Sequence, residues 1–231
     1  MIVMNFLAVG LPFNGLSTAE ISDSFAVMFV PAGYVFSIWG VIYLTQIWVF
    51  VKLYNNQKKY KALIDKISLW FIVSNWANGL WLVFWHYEKI YITLPVMLIL
   101  LVSLIVIYLE IKNKFPTVKY LTIPFGIYLG WISVATVANV TDVLYTLRWD
   151  GFGIAGEYWS GLMILVATLL GILMINLKRE FAFSFVIIWA IIGIAVKFSW
   201  NYNILLAILV GVALQLLAML CMMDKKKKLK K

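Results

Sequence analysis

Long apolar runs separated by short charged connections set the pattern of this chain. Stretches near the length of about 20 residues that a bilayer crossing requires run at roughly 34–54, 66–87, 90–111, 118–147, 157–177, 181–199 and 202–223. Each predicts an α-helix, because a segment in lipid must satisfy its own backbone hydrogen bonds. Residues 1–12 are apolar as far as Pro12 but would rise only about 18 Å as a helix. A short or incomplete first helix is expected there, with the natural start of the protein upstream. No basic region precedes its apolar residues, which speaks against a cleaved signal peptide. The connection "FNGLSTAEISDSFAVMFVPAG", residues 13–33, contains no Lys or Arg. Ser17 and Glu20 have capping-box spacing and predict a short helix within it. Phe25, Met28 and Phe29 make this connection apolar, so it either lies in the headgroups or covers something. It ends at Pro31 and Gly33, which resist regular structure, directly before the run at 34–54.

Helical spacing gathers the aromatic residues onto faces. Phe36, Trp39 and Tyr43 follow steps of three and four, as do Asn78, Trp81 and Trp85. Pro124, Tyr128, Trp131, Ala135, Asn139 and Asp142 form a third stripe. Trp39, Tyr43, Trp81, Trp85 and Asn139 are expected at matching depth in the outer half of the membrane, where three such faces can wall one chamber. The competing reading is an interfacial aromatic belt, which suits Trp149, Trp159 and Trp200. Asn78 and Asn139 lie one to two turns deeper than an interface. Polar side chains at that depth generally face a bundle interior, and a hydrogen bond between the two is the simpler alternative. Both readings turn these faces inward. Pro124 is expected to kink its helix. The Pro31–Gly33 turn reads as the hinge of a lid over the chamber.

Composition fixes the class. Apolar residues make up 64% of 231 and charged residues 13%, against roughly half and a quarter in soluble domains. An all-α integral membrane protein follows. The connections on one side, at 52–66, 112–119 and 178–179, together with the tail "KKKKLKK", hold 16 of the 19 Lys and Arg. The other side has Lys89, Arg148 and Lys197. The positive-inside rule then places both termini in the cytoplasm of a cell-membrane protein. The net charge of +9 needs no nucleic acid: a lysine tail beside a membrane helix anchors topology on anionic headgroups. Cys221 is the only cysteine, which excludes an intrachain disulfide and suggests a small packing residue.

These motifs resemble the TspO/MBR family, the tryptophan-rich sensory proteins related to the mitochondrial translocator protein. The family's Pro-Pro-Gly-Trp-Val-Phe…Trp…Tyr signature is similar to Pro31, Gly33, Val35, Phe36, Trp39 and Tyr43, with Ala32 and Tyr34 replacing its second Pro and its Trp. Its Asn-x-x-Trp-x-x-Phe-Phe pattern resembles Asn78, Trp81, Phe84 and Trp85. Its Trp-x-x-x-Ala-x-x-x-Asn pattern is met by Trp131, Ala135 and Asn139, although Pro124 lies seven residues before Trp131 rather than four. The resemblance covers residues 1–147 and implies a five-helix transmembrane core capped by its first loop. Residues 151–231 read as three additional transmembrane helices. It further implies binding of a tetrapyrrole such as porphyrin or haem at Pro31, Gly33, Phe36, Trp39, Tyr43, Asn78, Trp81, Trp85, Tyr128, Trp131, Ala135 and Asn139. A homodimer and a regulatory or transport-related role are implied as well, with no obligatory cofactor. A porphyrin-degrading activity is implied by resemblance only.

Residue chemistry gives catalysis little support. One His and one Cys cannot build a His/Cys metal cluster, and neither a phosphate loop nor paired carboxylates appear. His86 reads as an interfacial histidine rather than a haem ligand. Glu110 and Asp142 lie near helix ends, where water is expected. Besides the lipid bilayer, the partner expected is a hydrophobic small molecule that stacks on Trp and Tyr. The alternative, a small multi-pass transporter of a hydrophobic solute, lacks mid-membrane charges and visible repeats.

Overall fold

Reciprocal capping starts the first helix whose bounds are described. In the computed structural model, which describes residues 4–5 and 14–228, the Glu20 N–H donates to Ser17 Oγ at 3.3 Å and the Ser17 N–H to Glu20 Oε2 at 2.7 Å. This capping box opens α1, Thr18–Ser24, which stops where Phe25 turns extended. The chain then passes Pro31 and enters a 3₁₀ turn, Gly33–Ser37, that leads into α2, Ile38–Tyr54. Next come α3, Gln57–His86; α4, Ile90–Lys114; and α5, Thr122–Thr146. Helix α6, Gly156–Leu173, is prolonged by a π turn, and α7, Phe181–Lys197, and α8, Tyr202–Lys228, complete the chain. No strand occurs among the described residues. Glu88 and Arg148 take left-handed backbone angles, φ 53° each, so that the N–H groups of Lys89 and Trp149 reach back to Phe84 and Leu144. Such caps end α3 and α5 abruptly.

Among the described residues, six helices are long and apolar enough to cross a membrane, and α7 is a shorter apolar helix of 17 residues. Their outer faces carry exposed Leu44, Phe50, Leu69, Trp76, Leu98 and Leu209. Apolar side chains in that density suit lipid rather than water. This is an all-α membrane protein.

Helix α4 packs between α3 and α5, and α2 lies along α5. The other flank of α5 meets α7, while α6 pairs with α8. Small residues permit the closest approach, as in other membrane bundles. A Cβ at Gly130 of α5 would stand 2.9 Å from the backbone oxygen of Phe183 in α7. Helix α5 is therefore the shared wall between the preceding helices and the last three.

Two sequence expectations change here. The α-helix starts only at Thr122, so Pro124 occupies its first turn, where the missing N–H leaves no helical bond unmade. The kink lies not at Pro124 but at non-helical Val118, in the 3₁₀ turn that precedes the helix. Cys221 is exposed on α8 rather than packed inside. The first-helix expectation for 1–12 lies outside the described residues apart from helical Met4 and Asn5. The tail's side chains lie outside them too.

Candidate functional site

Helix periodicity aims the rings of α2, α3 and α5 at one another. Phe36 and Trp39 meet Trp131 edge-on, with centroids 5.6 and 6.2 Å away. Trp81 and Trp85 stack at 5.1 Å, with planes 20° apart. Hydrogen bonds fix the second pair. Trp81 Nε1 donates to Asn139 Oδ1 at 3.3 Å, and Asn139 Nδ2 donates to Thr93 Oγ1 on α4 at 2.8 Å. Between the rings lies a cavity of about 40 Å³, lined by Ser22, Pro31, Phe36, Trp39, Trp81, Trp85, Trp131, Val134, Ala135, Ala138, Asn139 and Asp142. It has room for a few waters.

The residues at 18–36 close this cavity. Trp85 Nε1 donates to the backbone oxygen of Thr18 at 3.2 Å. The Phe25 ring lies 5.8 Å from Trp85 and 6.1 Å from Tyr145, and Phe29 and Val30 are buried. The later helices hold the lid from its other side. Ser160 of α6 donates to the Met28 carbonyl at 2.9 Å, and Trp189 of α7 donates to the Val35 carbonyl at 3.2 Å. The Ala32 N–H donates to Gly193 O at 3.1 Å, and Lys197 pairs with Asp23.

Eight sequence-derived site residues face the cavity: Pro31, Phe36, Trp39, Trp81, Trp85, Trp131, Ala135 and Asn139. Four do not line it. Tyr43 stacks behind Trp39 at 5.7 Å, and Tyr128 meets Trp39 edge-on at 5.9 Å. Gly33 lies against Ala19. Asn78 accepts from Asn5 Nδ2 at 2.7 Å, so the two asparagines are not paired with each other. Trp131 is near mid-length of α5, whereas Trp81 and Trp85 approach the end of α3.

Sequence reading missed Ser22, Val134 and Ala138 as lining residues, and it placed Asp142 on the α5 stripe without counting it among the ligand-binding residues. Val134 and Ala138 flank the Trp131 stripe at helical spacing, and a wider face would have included them. Asp142 was expected in water near a helix end but is 1% exposed and lines the cavity together with Ser22 of α1. His86, expected at the interface, is likewise fully buried, with Nε2 3.1 Å from Thr18 Oγ1. Two buried polar atoms of the cavity lining have no hydrogen-bond partner among the described residues: Trp131 Nε1 and Asp142 Oδ1.

The capping box gives the lid a pH response. The Ser17 backbone N–H, and then its hydroxyl, hold the Glu20 carboxyl below its ordinary value of 4.5. A lowered folded-state value means that this stabilisation is fully present above pH 4.5 and is lost as pH falls through the lowered value. Hydrogen-exchange protection of α1, referenced to unstructured peptide at each pH, should therefore fall in acid. In Glu20→Gln that loss should disappear; an unchanged acid response in the variant contradicts the assignment.

No curated protein and no solved structure matches the chain. A family model described as TSPO-like protein matches residues 1–222, running through the last helices as well as the preceding ones. With two thirds of its cavity lining drawn from that family's expected motifs and the match spanning nearly the whole length, the chain belongs to the TSPO-like protein family.

Proposed function

We propose that the chamber binds a flat, hydrophobic aromatic ligand, a tetrapyrrole foremost, and that lid closure over it serves a regulatory role without catalysis. The observation that carries this reading is the cavity itself. Five aromatic walls surround it, and unpartnered Trp131 Nε1 and Asp142 Oδ1 belong to its lining. Buried polar atoms normally have partners, and a ligand edge would supply them. Aromatic faces favour offset or edge-on contact with another ring system. The lysine distribution supports a cell-membrane orientation with both termini cytoplasmic.

The fit has two consequences. At about 40 Å³ the cavity is far below the roughly 300–1,000 Å³ of sites for drug-sized ligands. The lid must therefore swing away, with Pro31 and Gly33 as its hinge. Among the described residues the lining also lacks His, Cys, Met and Tyr, the side chains that commonly ligate haem iron. Metal-free tetrapyrroles fit this lining better than haem does.

Titration with protoporphyrin in detergent, followed by tryptophan quenching and Soret shift, tests the reading. Trp39→Ala, Trp81→Ala and Trp131→Ala should each weaken binding by about 1–3 kcal/mol, or roughly 5- to 150-fold, by analogy with base stacking. Trp149→Phe is the control, since Trp149 packs at a tilt against Trp159, with centroids 4.9 Å apart, and does not line the cavity. Parent-like binding by all three folded alanine variants would place the site elsewhere. An absence of saturable binding would transfer the case to solute transport, measured as flux in vesicles.

A further inference from the structure

Among the described residues the cavity has a single ionisable wall residue, and it is acidic. Asp142 lies on α5 one turn before Thr146, beneath the lid residue Ser22. It is 1% exposed, and its Oδ1 has no hydrogen-bond partner among the described residues. The ion pairs found there, Lys112–Glu180, Lys114–Glu110 and Lys197–Asp23, do not include it. A carboxylate removed from water without a partner is costly. Trp39, Trp81, Trp85 and Trp131 border the same space. Aromatic ring faces attract ammonium groups through their quadrupoles, and a carboxylate supplies the charge-assisted hydrogen bond.

Resting on the chamber reading above, we infer that this site recognises a protonated amine carried on a flat aromatic body, with Asp142 as the residue that selects it. The nitrogen donates to Asp142 Oδ1 while the ring system lies among the tryptophans. Carboxylate-bearing ligands gain no such ion pair at this wall. A porphyrin is accommodated only with its propionates turned away from Asp142. The selectivity thus acts on the end of the ligand that faces α5, independently of ring stacking.

Three probes with one ring system separate these contributions: 9-anthracenemethylammonium, 9-methylanthracene and 9-anthracenecarboxylate. Each is titrated into the full chain in one non-ionic detergent at neutral pH, with quenching of tryptophan fluorescence as the readout. The ammonium probe should bind about ten- to a hundredfold more tightly than the carboxylate, in the range expected for a hydrogen bond to a charged group. Asp142→Asn should remove that preference and leave the neutral probe nearly unchanged, whereas Trp39→Ala should weaken all three. Equal affinity of the parent for the three probes overturns the amine inference while leaving the chamber in place. A preference that survives in Asp142→Asn overturns it too. If no probe saturates, the chamber reading and the inference fall together. The parent's ranking of the probes requires no variant, so the test does not depend on how Asp142→Asn folds.

Discussion

Gly193→Val should detach the lid from α7 and leave the chamber open. A Cβ at Gly193 would stand 2.1 Å from Val35 Cγ2 and 3.2 Å from Pro31 Cβ, so even alanine is too large. Val35 is fully buried and its carbonyl is held by Trp189. As a β-branched residue it has few rotamers into which to retreat. The hinge segment must therefore move, which breaks the Ala32–Gly193 hydrogen bond. Overpacking of this kind costs about 1–3 kcal/mol and occasionally more, a large share of what holds a short segment down. Hydrogen exchange should accelerate across residues 18–36 while α3, α4 and α5 stay protected, with alanine giving a smaller version of the same change. Lys197→Ala is the contrast: its partner Asp23 is exposed, and such pairs contribute about 0–1 kcal/mol. Unchanged lid protection in a folded Gly193→Val protein would show that α7 does not restrain the hinge.

The difference between what sequence reading anticipated and what it missed has a physical basis. Local signals transfer well. Ser17 and Glu20 are three residues apart and need nothing else to form their cap. Trp81 and Trp85 must share a face of any helix that contains them. Depth and partnership do not transfer, because they depend on which elements lie opposite. Asp142 looks solvated at the end of a helix until it is found lining a cavity with Ser22 of the lid, and His86 until Thr18 of α1 is found against its ring. Asn78 and Asn139 look like a natural pair, yet Asn5 and Thr93 claim them from other elements. Pro124 signals a kink only if helix precedes it, and the true start at Thr122 removes that condition. The ties from Ser160, Trp189 and Gly193 to the lid join positions more than 130 residues apart in sequence. No periodicity within either segment encodes them.

Gly130→Ala should lower stability more than any other single-methyl addition on α5 and should weaken ligand binding as well. The added Cβ would meet the Phe183 carbonyl oxygen at 2.9 Å, Phe183 Cα at 3.2 Å and Val186 Cβ at 3.2 Å. Two of these atoms are backbone of α7 and cannot rotate away, so the helices themselves must separate. At Gly126, one turn earlier, the new methyl meets the Glu180 side chain at 3.3 Å, and a flexible side chain can yield. Gly126→Ala should therefore be milder. With an overpacking cost of about 1–3 kcal/mol, and roughly 2–4 °C per kcal/mol for a chain of this size, the Gly130→Ala midpoint should drop by roughly 2–12 °C. Trp131 follows Gly130 directly and forms part of the chamber wall, so displacement of α5 carries this ring with it. Thermal unfolding of both variants in one detergent, with ligand titration on each, measures the two effects together. The contact is at fault if Gly130→Ala melts no lower than Gly126→Ala. If it melts lower but binds ligand like the parent, α7 supports α5 without setting the position of the chamber wall.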